Sequence, residues 1–148
     1  MSYWPFILSS GAVLVAAIVT VGLGHHFNLR LMKSNQQWEK NRHLILSGEK
    51  FCDELLEHMA LYQQTDSPNA KTQILLGPVH NSIQLINKFI LTNFSHDDTL
   101  KRMSKTTNRW ITFYPEQKEG LPDHDWAMMT AGTIIKLRFA FSDAQITH

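Results

Sequence analysis

The metal-binding and acid–base chemistry open to this chain rests on eight histidines, thirteen carboxylates and a single cysteine, Cys52. Spacing decides what they can do. His25 and His26 are adjacent and so leave a helix in different directions, while His43, His58, His80, His96 and His148 stand alone. The densest cluster, Asp123-His124-Asp125, could share ligands with Asp97-Asp98 if the two loops met. Both clusters open helices, however, where carboxylates already serve to oppose the helix dipole. No metal site and no other cofactor is expected.

Nucleophilic catalysis finds no partners either. Cys52 and His58 lie six residues apart, which puts them on different faces of a helix, and no serine sits in a glycine-flanked elbow. The chain has no glycine-rich phosphate loop and no inward-facing repeat of the Glu-x-x-His type that di-iron bundles use. A non-enzymatic protein is the expectation. Cys52 cannot form an intrachain disulfide, and its place in a helical apolar stripe marks it as a small buried hydrophobe.

Two surface features point to binding instead. Lys101, Arg102, Lys105 and Arg109 form a basic arc opposite the apolar arc of one amphipathic helix. Its simplest role is a solvated face; its functional role would be docking on anionic lipid headgroups or an acidic partner, each cation near a surface contributing ~1 kcal/mol. A net charge of +1 and a pI near 8.0 point to no nucleic-acid partner, which without aromatic residues interleaved on that face is a weaker third option. In the last helix, Trp126, Met129, Ile134, Leu137 and Phe141 share one side, while Met128, Ile135, Phe139 and Ile146 share a nearly opposite one. Only Lys136 and Arg138 interrupt the wall. The larger stripe is assigned to the core, which leaves Met128, Ile135, Phe139 and Ile146 as the expected partner-binding face.

The elements that position these groups begin with an anchor. From Trp4 to Gly24 no side chain is charged, and Arg30, Lys33, Lys40 and Arg42 follow. At about 1.5 Å of rise per residue such a run matches a hydrocarbon core of about 30 Å. It lacks the basic start and the small-x-small cleavage pattern of a removable leader. The cations after the run place the N-terminus outside and the body in the cytoplasm, with Tyr3 and Trp4 in the outer headgroup layer. The sequon Asn93-Phe94-Ser95 would matter only for a luminal body. Ala12, Ala16, Thr20 and Gly24 recur every fourth residue and form a small-residue stripe for packing between transmembrane helices.

The expected organisation is an anchor over residues 1–25, a juxtamembrane helix over 26–46 and a bundle domain over 47–148. Leu31, Trp38, Ile45, Cys52 and Met59 repeat every seven residues, with Phe27, Ser34, Asn41, Gly48, Leu55 and Tyr62 at the partner positions. A two-position seam therefore exists only in the second half. Gly48, about 1 kcal/mol worse than Ala in a helix, marks a break point at Ser47-Gly48 where a kink is allowed but not required.

Further on, Ser67-Pro68 reads as N-cap and first helical residue. Pro78 should kink or split the helix that follows, after which Val79, Ile83, Ile86, Phe89 and Ile90 share a face. Ser95 is the expected N-cap of the amphipathic helix, whose apolar arc is Leu100, Met103, Thr107, Trp110, Ile111 and Tyr114. Pro115 to Gly120 forms a polar turn, and a last helix runs from about Pro122-Asp123 to Ala144.

No strand pattern competes, so the expected class is all-α: a single N-terminal transmembrane helix followed by an antiparallel bundle of about four helices. The function expected of that layout is protein–protein interaction by an inner-membrane scaffold or regulatory subunit, with a protein partner or a second copy. Its alternatives are an extracytoplasmic sensor holding a small ligand between helices, and a membrane-active effector such as a phage lysis or toxin component.

Overall fold

The computed structural model describes the backbone of residues 4–113 and 123–144 and the side chains of residues 20–112 and 123–144. Among the described residues every regular element is a helix. The chain divides into two units, Met1–Lys40 and Asn41–His148, and helix α1 (Trp4–Gln64) contributes to both.

The first unit is helical from Trp4 onward. Val21, Leu23, Phe27, Leu29, Leu31 and Met32 are all exposed, alongside the polar and charged residues His25, His26, Asn28, Arg30 and Lys33. Among the described residues no helix is long and apolar enough to cross a membrane. The side chains of Trp4 to Val19, most of the apolar run, lie outside the description, as do Tyr3 and the stripe residues Ala12 and Ala16.

The second unit is a bundle of four helical rods built on the C-terminal part of α1. The seam develops where the heptad pattern places it: Leu31 and Trp38 are exposed, whereas Cys52, Leu55, Met59 and Tyr62 are buried. There is no break at Ser47-Gly48. The helix is continuous through these residues, and Gly48 is buried because the ring of Phe141 lies on it. A Cβ at this position would stand 2.8 Å from Cγ of Phe141 and closer still to the ring edge. The glycine is a point of close approach rather than a helix breaker.

The second rod comprises α2 (Pro68–Ile74), a π turn over Leu75–Val79 and α3 (His80–Asn93). Ser67 takes the extended conformation of an N-cap and its carbonyl accepts from the Lys71 amide at 2.9 Å, but its hydroxyl caps nothing. The split expected at Pro78 is absorbed. The π turn lets the His80 amide reach back to the Leu75 carbonyl, so the chain passes the missing proline N–H and continues as helix. Val79, Ile83, Ile86 and Ile90 then face the core, with Phe89 half-buried.

Helix α4 (Asp98–Phe113) starts two residues later than the Ser95 reading implies. Ser95 is exposed. The cap is Asp97, whose carboxylate accepts from the Leu100 amide at 2.9 Å. Leu100, Thr107 and Ile111 are buried, Met103 and Trp110 half-buried, and Tyr114 lies outside the described residues. Ser104 is buried as well, and its hydroxyl donates to Asn87 of α3.

Helix α5 (Asp123–Ser142) closes the bundle. Its contacts with α1 run in opposite senses, from Phe141 on Gly48 and Arg138 on Asp53 to Trp126 against Tyr62, so the two helices are antiparallel. Phe89, Phe94 and Phe141 meet at one end, with Phe51 edge-on to Phe89 at 5.1 Å. At the other end Trp126 donates its indole N–H to the Trp110 carbonyl at 3.0 Å.

Candidate functional site

Helix α5 has almost no polar side, and the bundle covers only one of its faces. Trp126, Ala127, Thr130, Ile134, Leu137 and Phe141 are buried. Met129, which the helical spacing groups with them, is 48% exposed because it lies on the flank toward α4. Of the face assigned to a partner, Met128 is 58%, Ile135 43% and Phe139 60% exposed, while Ile146 falls outside the described residues. Single exposed apolar residues are ordinary. A row at 128, 135 and 139 on one helix, beside Met129, is a contiguous patch.

Two grooves border this patch, both between α4 and α5. One, of about 560 Å3, has Met103, Trp110, Met129 and Thr133 in its walls and Arg102 and Lys136 at its rim. The other, of about 600 Å3, lies nearer the start of α4 and is lined by Met103, Lys136, Phe139 and the carboxylates of Asp97, Asp98 and Asp143. The α4–α5 surface is thus apolar along its length, basic in the middle and acidic at one end. Met103, Met128 and Met129 give it flexible, polarizable side chains that adapt to what they touch.

The basic arc is dispersed among several roles. Lys101 pairs with Asp98 at 2.6 Å, which holds the Asp98 carboxyl below its ordinary value by hydrogen bond and charge. Arg102, Lys105 and Arg109 are exposed. Arg102 belongs to the groove, and neither it nor Lys105 makes an ion pair among the described residues. Of the small-residue stripe, Thr20 and Gly24 are exposed, and a Cβ at Gly24 would meet nothing within 4 Å.

Several polar groups make structural contacts that their spacing did not indicate. Asp123 accepts from the Tyr62 hydroxyl at 2.6 Å through one oxygen and from Lys71 at 2.6 Å through the other. Lys71 also stands 5.2 Å above the Tyr62 ring, so one carboxylate ties α1, α2 and the start of α5 together. Asp123 is therefore committed within the bundle rather than offered to a metal, and no group of three metal-ligating side chains occurs among the described residues. Arg138 is likewise spent on Asp53 at 2.7 Å, and Ser142 bonds Glu49. These long-range pairs have no local signature in sequence; only the antiparallel placement of α1 and α5 creates them. Cys52 is fully buried, and desolvation, reinforced by the Asp53 carboxylate, pushes its thiol up to about 12. It is no nucleophile at neutral pH.

No family model, no curated protein and no solved structure matches the chain.

Proposed function

We propose that this chain is a membrane-tethered interaction module: an N-terminal transmembrane anchor carrying a helical bundle that binds a protein through the outward face of α5. The observation that carries the binding role is that Met128, Ile135 and Phe139 are exposed together on a helix whose opposite face closes the core. Apolar patches of this kind mark contact surfaces. The tether rests on the uncharged run Trp4–Gly24 and on the exposed apolar residues Phe27, Leu29, Leu31 and Met32 that continue beyond it. The cations after the run favour a cytoplasmic bundle in an inner membrane.

Ile135→Asp tests the binding role. At an exposed position the new carboxylate stays hydrated, so thermal unfolding should shift by no more than the change for an ordinary surface substitution, about 0.5 kcal/mol. Binding of any partner through the α5 face should be lost. A variant that no longer folds would place Ile135 in the core and end this reading. Location is tested separately. A fluorescent protein fused to the C-terminus should glow, and a phosphatase that works only outside the cytoplasm should stay inactive there. Phosphatase activity would favour the second reading, a sensor, for which the apolar groove of about 560 Å3 between α4 and α5 would be the ligand site.

A further inference from the structure

The order of charges along the α4–α5 surface is specific enough to say what would cover it. On α5, Lys136 and Asp143 are seven residues apart, two helical turns, and Phe139 stands near the midpoint between them. Lys136 and Asp143 are exposed, and neither makes an ion pair among the described residues. Arg102 reinforces Lys136 at the rim of one groove, and Asp97 and Asp98 accompany Asp143 in the lining of the other. The patch therefore reads basic, aromatic, acidic. Turned through a half rotation about Phe139, it reads acidic, aromatic, basic.

We infer that the covering partner is a second copy of this chain, docked through α5 about a two-fold axis at Phe139. The inference rests on the reading of the α5 face as a contact surface. In this arrangement the two α5 helices cross antiparallel. Lys136 of each copy meets Asp143 of the other, and each Phe139 lies over the groove beside its counterpart. A two-fold contact requires a surface that complements itself, and this one does. An anionic membrane surface fits the same patch poorly, because Asp98 and Asp143 would face the headgroups alongside the cations.

The test uses the full-length chain in mild detergent, prepared in ordinary and 15N-labelled form and mixed. A zero-length carbodiimide cross-link should join Lys136 of one isotopic form to Asp143 of the other. Lys136→Glu and Asp143→Lys should each weaken the dimer by about tenfold, since a two-fold axis turns one reversal into two repulsions. The double reversal should restore the parent affinity. Phe139→Ser should weaken the dimer without changing the charge pattern. A parent chain that stays monomeric, or a double reversal that restores nothing, overturns the inference. So does a dimer indifferent to every variant, which would assign self-association to the stripe containing Ala12, Ala16, Thr20 and Gly24. If Ile135→Asp remains folded in these cases, the α5 face still stands as a site for another protein. If Ile135→Asp unfolds, the contact-surface reading fails with the two-fold one.

Discussion

Gly48→Ala sets two effects of opposite sign against each other. In a helix interior, alanine is better than glycine by about 1 kcal/mol, and were Gly48 a break point in an exposed helix the substitution would stabilise the chain. The structure reverses the sign. The added Cβ would stand 2.8 Å from Cγ of Phe141. That ring is fully buried against Phe89 and Phe94, so a shift away from Gly48 disturbs their packing. Overpacking of this kind costs typically 1–3 kcal/mol, observed in hosts where the backbone yields a little. A rigid aromatic against a helix backbone falls at the upper end, which leaves a net loss of about 1–2 kcal/mol after the propensity gain. For a unit of roughly 100 residues that lowers the thermal midpoint by about 5–15 °C. The assay is thermal unfolding of the full chain followed by near-ultraviolet circular dichroism, which reports the aromatic packing directly. Phe141→Leu in the same background should relieve the overlap, so the pair should be less destabilised than the sum of the single variants by at least about 0.5 kcal/mol. A higher melting temperature for Gly48→Ala would refute the reasoning, because it would mean that Phe141 does not rest on Gly48.

Cys52 should resist a thiol reagent in the native protein at pH 8 and react fully once the chain is unfolded, as followed by absorbance of the released chromophore. Its burial also gives a pH dependence: above pH 9 the unfolded thiol loses its proton while the folded one, pushed up to about 12, keeps it, so stability falls as pH rises. Between pH 8 and 10 the parent should lose roughly 1.4 kcal/mol more than Cys52→Ala in denaturant titrations, and parallel curves would exclude a desolvated thiol. Asp97→Ala should destabilise by about 1 kcal/mol and Ser95→Ala by almost nothing, because only Asp97 caps α4; the opposite ranking in thermal melts would return the cap to Ser95. Thr130 buries a hydroxyl without a partner among the described residues, so Thr130→Val, equal in shape, should raise stability by about 1 kcal/mol, and a lower melting point would show that the hydroxyl is bonded.

Much of this architecture was legible in one dimension. The stripe Val79, Ile83, Ile86 and Ile90 and the arc Leu100, Thr107 and Ile111 are buried as their helical spacing requires, because amphipathic patterning is a local consequence of burying one face. What local reasoning missed was decided by distant neighbours. Gly48 looked like a weak point because its propensity is poor, yet it is where the chain comes closest to a helix 93 residues away. Asp123 looked like a candidate ligand, and Tyr62 and Lys71 from two other helices claim it. Ser95 and Asp97 both fit a cap pattern, and only the backbone chooses between them. At the candidate site, the spacing correctly separated Met128, Ile135 and Phe139 from the buried side of α5, but it put Met129 on the wrong side, since a flank residue is buried or exposed according to how far its neighbour α4 reaches.

The tie between Asp123, Tyr62 and Lys71, with Trp126 bonded to the Trp110 carbonyl beside it, fixes the points at which the chain leaves α4 and re-enters the bundle, whatever path residues 114–122 follow. In polymer terms the two ends of that connection are set by the bundle and not by the connection itself. For a flexible insert between fixed ends the added cost is only logarithmic, about 0.6 kcal/mol for each doubling of length. This is where the sequence has room to grow: an inserted epitope or a small domain there would leave the packing of α4 against α5 as it is, whereas the same insertion between α2 and α3 would break a continuous rod.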